Sequence, residues 1–348
     1  MKRMKALAAG LLTIAMTMSM AACGSSGSSS AAPAASSSGS AAASQPVASV
    51  GSTSGGAEYA VVLKVLSSQF WQTMRDGIEA EAKKQNVKVD IFAANTEDDV
   101  EGQVALLENA ISKGYKAIGV APISNVNLNN AVADATKKGI RIVNIDAKID
   151  LNALSQLGGA CYAYVSSDNK AIGKMGAEYL IKQIGGKGEV AVVEGKAGDI
   201  SSEDRGGGAK AAFQAANLKI VESQPADWDR TKAYDVATNY ITAHPNLKAI
   251  YCCNDTMAMG VEEAVAASGK DIKVCGTDGN SDAVQSVSDG KLTATVTQDS
   301  AAIGAKGLDL MIEAAAKNAE IKPSTDIPTY GIPAILVTKD NASKYLSK

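Results

Sequence analysis

Val61-Val62-Leu63-Lys64-Val65-Leu66-Ser67-Ser68-Gln69-Phe70-Trp71 is the stretch on which the fold of this chain turns. Its apolar run reads as a strand buried on both faces, whereas Phe70, Met74, Ile78 and Ala82 recur at the spacing of one helix face. Lys64 and two adjacent aromatic rings therefore fall at a strand-to-helix turn. In open α/β sheets such turns are where ligands bind. A lysine and two flat rings suit a ligand with polar edges and apolar faces.

The alternation continues in both directions along the chain. Strands are predicted at 60–66, 87–92, 117–120 and 140–145, separated by helices at 70–85, 98–113 and 126–138. Lys113-Gly114 and Lys138-Gly139 look like left-handed helix ends, and Thr96 to Asp99 like a capped, acidic helix start. After Tyr162 to Val165 a second series begins. Its strands at 189–193, 219–223, 249–252, 273–276 and 292–296 alternate with helices at 169–184, 204–216, 230–243, 256–267, 281–289 and 302–317. The fold class expected is α/β: two Rossmann-like lobes with parallel sheets joined by a hinge, and a cleft where the strand ends face each other.

Composition agrees. The 348 residues are 46% hydrophobic but only 4% aromatic, as buried parallel strands and alanine-rich helices require. A net charge of -3 with mixed signs gives no basic face, which argues against nucleic acid as a partner. Cys161, Cys252, Cys253 and Cys275 lack zinc-site spacing, and no phosphate loop occurs, so no metal and no cofactor are expected. Cys252, Cys253 and Cys275 fall at the ends of two strands and are expected as buried free thiols, with a disulfide among them as the alternative. His244, the only histidine, sits in Ala243-His244-Pro245-Asn246, a turn at the opposite end of the sheet from the cleft. No catalytic residue is assigned, and an enzyme is the weaker reading.

Lys2, Arg3 and Lys5 precede an apolar stretch from Ala6 to Met20, shorter than the roughly 20 residues of a membrane span. Ala21-Ala22-Cys23-Gly24 resembles a bacterial lipobox, with Met20 where Leu is usual. A signal peptide is expected over 1–22 and a lipid on Cys23, followed by a Ser/Ala/Gly tether through residue 57. That arrangement implies an extracytoplasmic protein held by a lipid anchor to the outer face of the bacterial cell membrane.

The residues after each strand are chemically alike. Asp146 follows Val143-Asn144-Ile145, and Arg205 lies in the loop and helix beyond Glu194-Gly195-Lys196. Asp227-Trp228-Asp229, Asn254-Asp255, Asp278 and Gln298 follow the later strands. Taken singly, Asn254, Asp255 or Asp278 could cap a helix, Trp228 could be core and Lys64 could snorkel from a sheet edge. Together they converge on one face. Lys64 and Arg205 balance Asp146 and Asp278 in sign, so a neutral ligand fits. Carboxylates, amides and a guanidinium suit adjacent hydroxyls, and Phe70, Trp71 and Trp228 suit faces of C–H groups. A pyranose or similar ring has both.

The segments Tyr59 to Lys64 with Phe70-Trp71, Val143 to Asp146, Ser223 to Arg230, Asn254 to Gly260, Gly276 to Gly279 and Ala294 to Gln298 closely resemble the type I periplasmic sugar-binding proteins of ABC importers. Within that family they are most like the allose-binding branch, then the ribose-binding one. The resemblance implies that Lys64, Phe70, Trp71 and Asp146 contact sugar from the first lobe, with Ser68 standing where relatives carry Asn. Arg205, Trp228, Asn254, Asp278 and Gln298 would contact it from the second lobe and hinge. It also implies an N-terminal lobe of 58–165 and 299–328 and a C-terminal lobe of 166–298 and 329–348, so that Tyr330 falls in the second. The ligand implied is a monosaccharide, an allose-like hexose or related aldose, passed to an ABC permease and its separate ATPase by a monomeric protein. A sugar or polyol sensor feeding a membrane receptor is the alternative. Gln69 where relatives have Pro, Ala121 where the ribose branch has Asn, and Ala147 where relatives carry a charge all bear on which hydroxyl pattern is read.

Overall fold

The computed structural model describes residues 56–346. The expected signal peptide, Cys23 and the tether as far as residue 55 lie outside them.

The first sheet grows from β1 (Tyr59–Leu63), flanked by β2 (Val89–Ala93) and β3 (Ala117–Val120), with β4 (Arg141–Ile145) and β5 (Ala163–Ser166) beyond. Every residue of β1 is buried. Val61 and Leu63 face one core, with Phe70, Trp71 and Met74, while Ala60 and Val62 face another, with Leu107, Ile118 and Leu128. A two-sided strand of this kind needs helices on both faces. They are α1 (Gln69–Gln85), α2 (Val100–Lys113), α3 (Asn129–Lys137) and α4 (Leu151–Gln156). The last, a short helix capped by Asp150, has too little periodicity to be read from sequence.

The second lobe repeats the scheme with α5 (Asn169–Gln183), β6 (Glu189–Glu194), α6 (Ile200–Ala215), β7 (Lys219–Pro225), α7 (Arg230–Ala243), β8 (Leu247–Cys252), α8 (Asp255–Ser268), β9 (Lys273–Asp278), α9 (Ser281–Asp289) and β10 (Ala294–Thr297). Tyr251, Phe213 and Tyr240 anchor its core. Cys161, Cys252, Cys253 and Cys275 are buried free thiols.

Three segments connect the lobes. The chain leaves β5 for α5, and leaves β10 for α10 (Ser300–Ala316), which packs on the first sheet. A methyl on Gly77 of α1 would sit 2.2 Å from the Ala301 carbonyl oxygen, and one on Gly304 would sit 2.5 Å from that of Met74. Backbones at that distance fix α1, and with it Phe70 and Trp71, against α10. The third connection follows β11 (Thr329–Gly331) and leads to β12 (Ile335–Val337). Tyr330 pairs with Val165 in the first sheet, so the change of lobe comes after Gly331 and not at the expected 328/329 boundary. Nor is the second sheet wholly parallel: β12 runs antiparallel to β10. The reason is directional. Strand β11 is parallel to β5, so the chain enters the second sheet from the cleft edge and must run away from it.

Candidate functional site

Both sheets present the C-terminal ends of their parallel strands to one cavity of about 560 Å³. From the first lobe Lys64 follows β1, Ser68 caps α1, Phe70 and Trp71 fill its first turn, and Asp146 follows β4; all five line the cavity. Ser68 makes no side-chain cap bond, so its hydroxyl is unspent. The Phe70 and Trp71 rings meet edge to face at 5.1 Å, and the Lys64 ammonium lies 6.0 Å from the Trp71 ring centre.

The second lobe answers with the same kit. Arg205, in α6, donates from Nε to Asn169 Oδ1 at 2.7 Å and from Nη1 to the Cys253 carbonyl at 2.8 Å and Asp278 Oδ1 at 3.3 Å. Its guanidinium stands 5.9 Å from the Trp228 ring centre. Asn254 caps α8 by accepting the Met257 N–H, which leaves its amide NH2 for a ligand. Arg205, Trp228, Asn254 and Asp278 all line the cavity. Gln298 does not. It lies in the second connection, behind Asp278, where its Nε2 donates to Asp278 Oδ1 at 2.8 Å while its buried Oε1 has no partner. The carboxylate draws the amide back from the wall, so Gln298 orients Asp278.

Local strain marks three of these residues. Asp146, Trp228 and Asp278 have φ of 57°, 63° and 121°, values that side chains other than glycine's rarely adopt and that persist only where surroundings hold them. Around Asp146, the Val165 carbonyl accepts its N–H at 2.7 Å, the Tyr164 hydroxyl donates to its carbonyl, and Asn144 spans Val120 and Ala147. Buried Asp255 does the same beneath Asp278, accepting the Gly279 and Asn280 N–H groups and the Thr295 hydroxyl. It is a support for the site, as a buried cap would be.

The charge balance differs from the one expected. Besides Lys64, Arg205, Asp146 and Asp278, the cavity is lined by Glu97 and Asp199 in its interior and by Asp98, Asp227, Asp229, Arg230 and Lys232, so acids outnumber bases. Lys64 Nζ lies 2.5 Å from Asp199 Oδ2, and Arg205 pairs with Asp278, so both buried cations are engaged. Burial opposes the charge on Lys64, but Asp199 and Glu97 outweigh it and hold the ammonium above its usual range. Asp199 is held below its usual range because Lys64 overcomes the cost of burial. Burial pushes Asp146 up to about 6 despite Arg205 and Lys64, and Asp278 up to about 6 despite Arg205 and Gln298. Asp146 Oδ1 is buried without a partner. Such an acceptor calls for a hydroxyl donor from a ligand.

Sequence reasoning passed over Asp199 and Glu97. The triple glycine Gly206-Gly207-Gly208 weakens the periodicity of α6, which begins at Ile200 and not at the expected 204; the capping type of Asp199 is the available clue. Glu97 looked like part of a helix start. Asp99 is the cap of α2, and Glu97 stands with Trp71 at the cavity wall. His244 pairs with Glu222 ahead of β8, away from the cleft. Among the described residues no His/Cys/Asp/Glu group could hold a metal ion.

Comparison with known proteins bears on this geometry. The sequence profile described as "Periplasmic binding protein domain" matches residues 59–319. The D-allose-binding periplasmic protein of Escherichia coli is 52% identical over 293 residues, covering 83% of this chain and 94% of that protein. A ribose import binding protein of Bacillus subtilis is 36% identical over 256 residues, 73% of this chain and 81% of its own length. Among solved structures, an ABC transporter periplasmic solute binding protein from Actinobacillus succinogenes with bound D-allose superposes with a TM-score of 0.77 at 34% identity, covering 83% of this chain and 100% of that one. A solute binding protein from Bacillus halodurans with bound myo-inositol gives 0.73 at 26%, covering 85% and 99%.

Proposed function

This chain belongs to the periplasmic binding protein family, and from that premise we propose that it captures a neutral monosaccharide, an allose-like hexose or related aldose, by closing its lobes around the ring. The observation that carries the reading is the cavity wall itself. Flat rings come from both lobes, Asp146 offers an unspent acceptor and Asn254 a free amide NH2, while Lys64 and Arg205 are already paired with acids. A polyol ring supplies the missing donors and brings no charge. Contacts with both lobes favour the closed state, since a ligand shifts an equilibrium only by its differential affinity for the two forms.

The closed protein then delivers its sugar to an ABC permease served by a separate ATPase. It works as a monomer on the outer side of the cell membrane, tethered through lipid on Cys23. Support for the sugar comes from the D-allose-binding relatives, and support for the anchor from the lipobox-like Ala21-Ala22-Cys23-Gly24. Ligand at about 100 times its dissociation constant adds roughly 2.7 kcal/mol of stability. A thermal-shift screen over aldohexoses, aldopentoses and polyols should therefore single out D-allose or a close relative; no response to any neutral sugar would defeat the assignment. For the anchor, Cys23→Ser should release the protein from the membrane fraction, and unchanged membrane association would count against it.

A further inference from the structure

Lys64 and Asp199 are 135 residues apart and sit on opposite lobes, yet they form an ion pair with side chains each only 5% exposed. Lys64 lies just past β1; Asp199 caps α6, its Oδ1 accepting the Ser201 N–H at 2.8 Å. Each carboxylate oxygen therefore has a separate task, one local and one across the cleft. On its own lobe Lys64 has the Trp71 ring at 6.0 Å and the fields of Glu97 and Asp146, neither of which it contacts by a hydrogen bond of its own.

We propose that Asp199 is a positioning residue for sugar capture: it meets Lys64 only when the lobes close, and so holds the ammonium at the cavity wall with its remaining N–H donors turned to the ligand. The inference rests on the sugar-binding reading for its second half only. A lysine is a point charge on a flexible stem with three donors. Fixed by Asp199, it becomes a donor of defined position, and the ordering happens before the sugar needs it. The pair also biases the empty protein toward closure, because separating the lobes would strip both charges of a buried partner. Two neighbouring contacts cross the same gap without burying a charge pair. Lys196 Nζ donates to the Glu97 carbonyl at 2.9 Å and to the exposed Asp98 carboxylate, and the Ser281 N–H and hydroxyl donate to Gln69 Oε1.

Asp199→Asn separates the two tasks, since asparagine caps a helix as well as aspartate does but carries no charge. In sugar-free protein, small-angle scattering should give a larger radius of gyration for Asp199→Asn than for wild type, with no reference to any ligand. By calorimetry with D-allose, Asp199→Asn should weaken binding by about tenfold, and Lys64→Met should cost much less in the Asp199→Asn background than alone, as coupled residues do. Asp199→Ser, which also caps, checks that the effects follow the charge. Equal scattering for wild type and Asp199→Asn together with additive losses would overturn the proposal. Should D-allose fail to bind wild type, the sugar assignment falls and the scattering comparison alone decides the role of the pair in closure.

Discussion

The indole of Trp228 lies on the Cα of Gly195: a methyl group placed there would come within 2.2 Å of the ring atoms Cη2 and Cζ2. Gly195 follows β6 with an ordinary backbone, so alanine is forbidden there by the ring alone. Gly195→Ala should push Trp228 out of its place beside Arg205 and weaken sugar binding by roughly tenfold, about 1.4 kcal/mol. Because the chain has two Trp, Trp71 and Trp228, and both line the cavity, intrinsic fluorescence reads this site directly. An unchanged emission spectrum and affinity in Gly195→Ala would show that the ring position is immaterial.

The raised carboxyl of Asp146 makes a trade between stability and binding. Its value in the folded protein, about 6, lies above the ordinary carboxylate value of 3.8, so the native state binds more protons than the unfolded chain between those limits. Its contribution to stability therefore falls as pH rises through that window, by roughly 1.4 kcal/mol per pH unit at most. Sugar-free Asp146→Asn should melt higher than wild type at pH 8, and the gap should close toward pH 4. Sugar hydroxyls need the ionised acceptor, so wild-type affinity should drop as pH falls below about 6. Melting curves and calorimetry across that range check both signs.

Acidic sugars should be refused. Lys64 and Arg205 are paired with Asp199 and Asp278, and the exposed Arg230 and Lys232 with Glu263 and Asp227, so a carboxylate or phosphate entering the cleft would meet Asp146 and Glu97 with every lining cation already paired. Burying an unpaired charge costs several kcal/mol. D-glucuronate and hexose phosphates should give no thermal shift at concentrations where neutral aldoses saturate; a uronate that stabilises the protein would refute the charge argument.

The seam between α1 and α10 is set by Gly77 and Gly304. Gly304→Val should overpack it against Met74 and Ile78 and destabilise the protein by about 1–3 kcal/mol. Urea titration should show a lower midpoint, with sugar affinity also reduced because α1 carries Phe70 and Trp71.

Much of this was legible in the sequence. The buried run from Val61 and the βα alternation led to two α/β lobes because parallel strands covered on both faces leave an unmistakable apolar signature, and strand ends carry the polar exceptions. Lys64, Asp146, Arg205, Trp228, Asn254 and Asp278 were visible for that reason. Asp199 and Glu97 were hidden because their local signal was that of helix starts, and nothing in a linear pattern says that a capping carboxylate also reaches another lobe. That Gln298 donates to Asp278 is a matter of side-chain geometry and has no signal in the sequence. The place where the chain last changes lobe depended on Tyr330, whose pairing with Val165 is a contact between distant segments. No periodicity encodes it.

The central claim is that residues of two lobes meet to grip one uncharged ring. Titrating D-allose into wild type, Trp228→Ala and Asp278→Ala by calorimetry tests it most directly. One site per chain is expected in wild type, and loss of tight binding in both variants with the fold retained by circular dichroism. Heat of binding unchanged in both variants, from residues that stand together at the wall of the cleft assigned to the sugar, would contradict it.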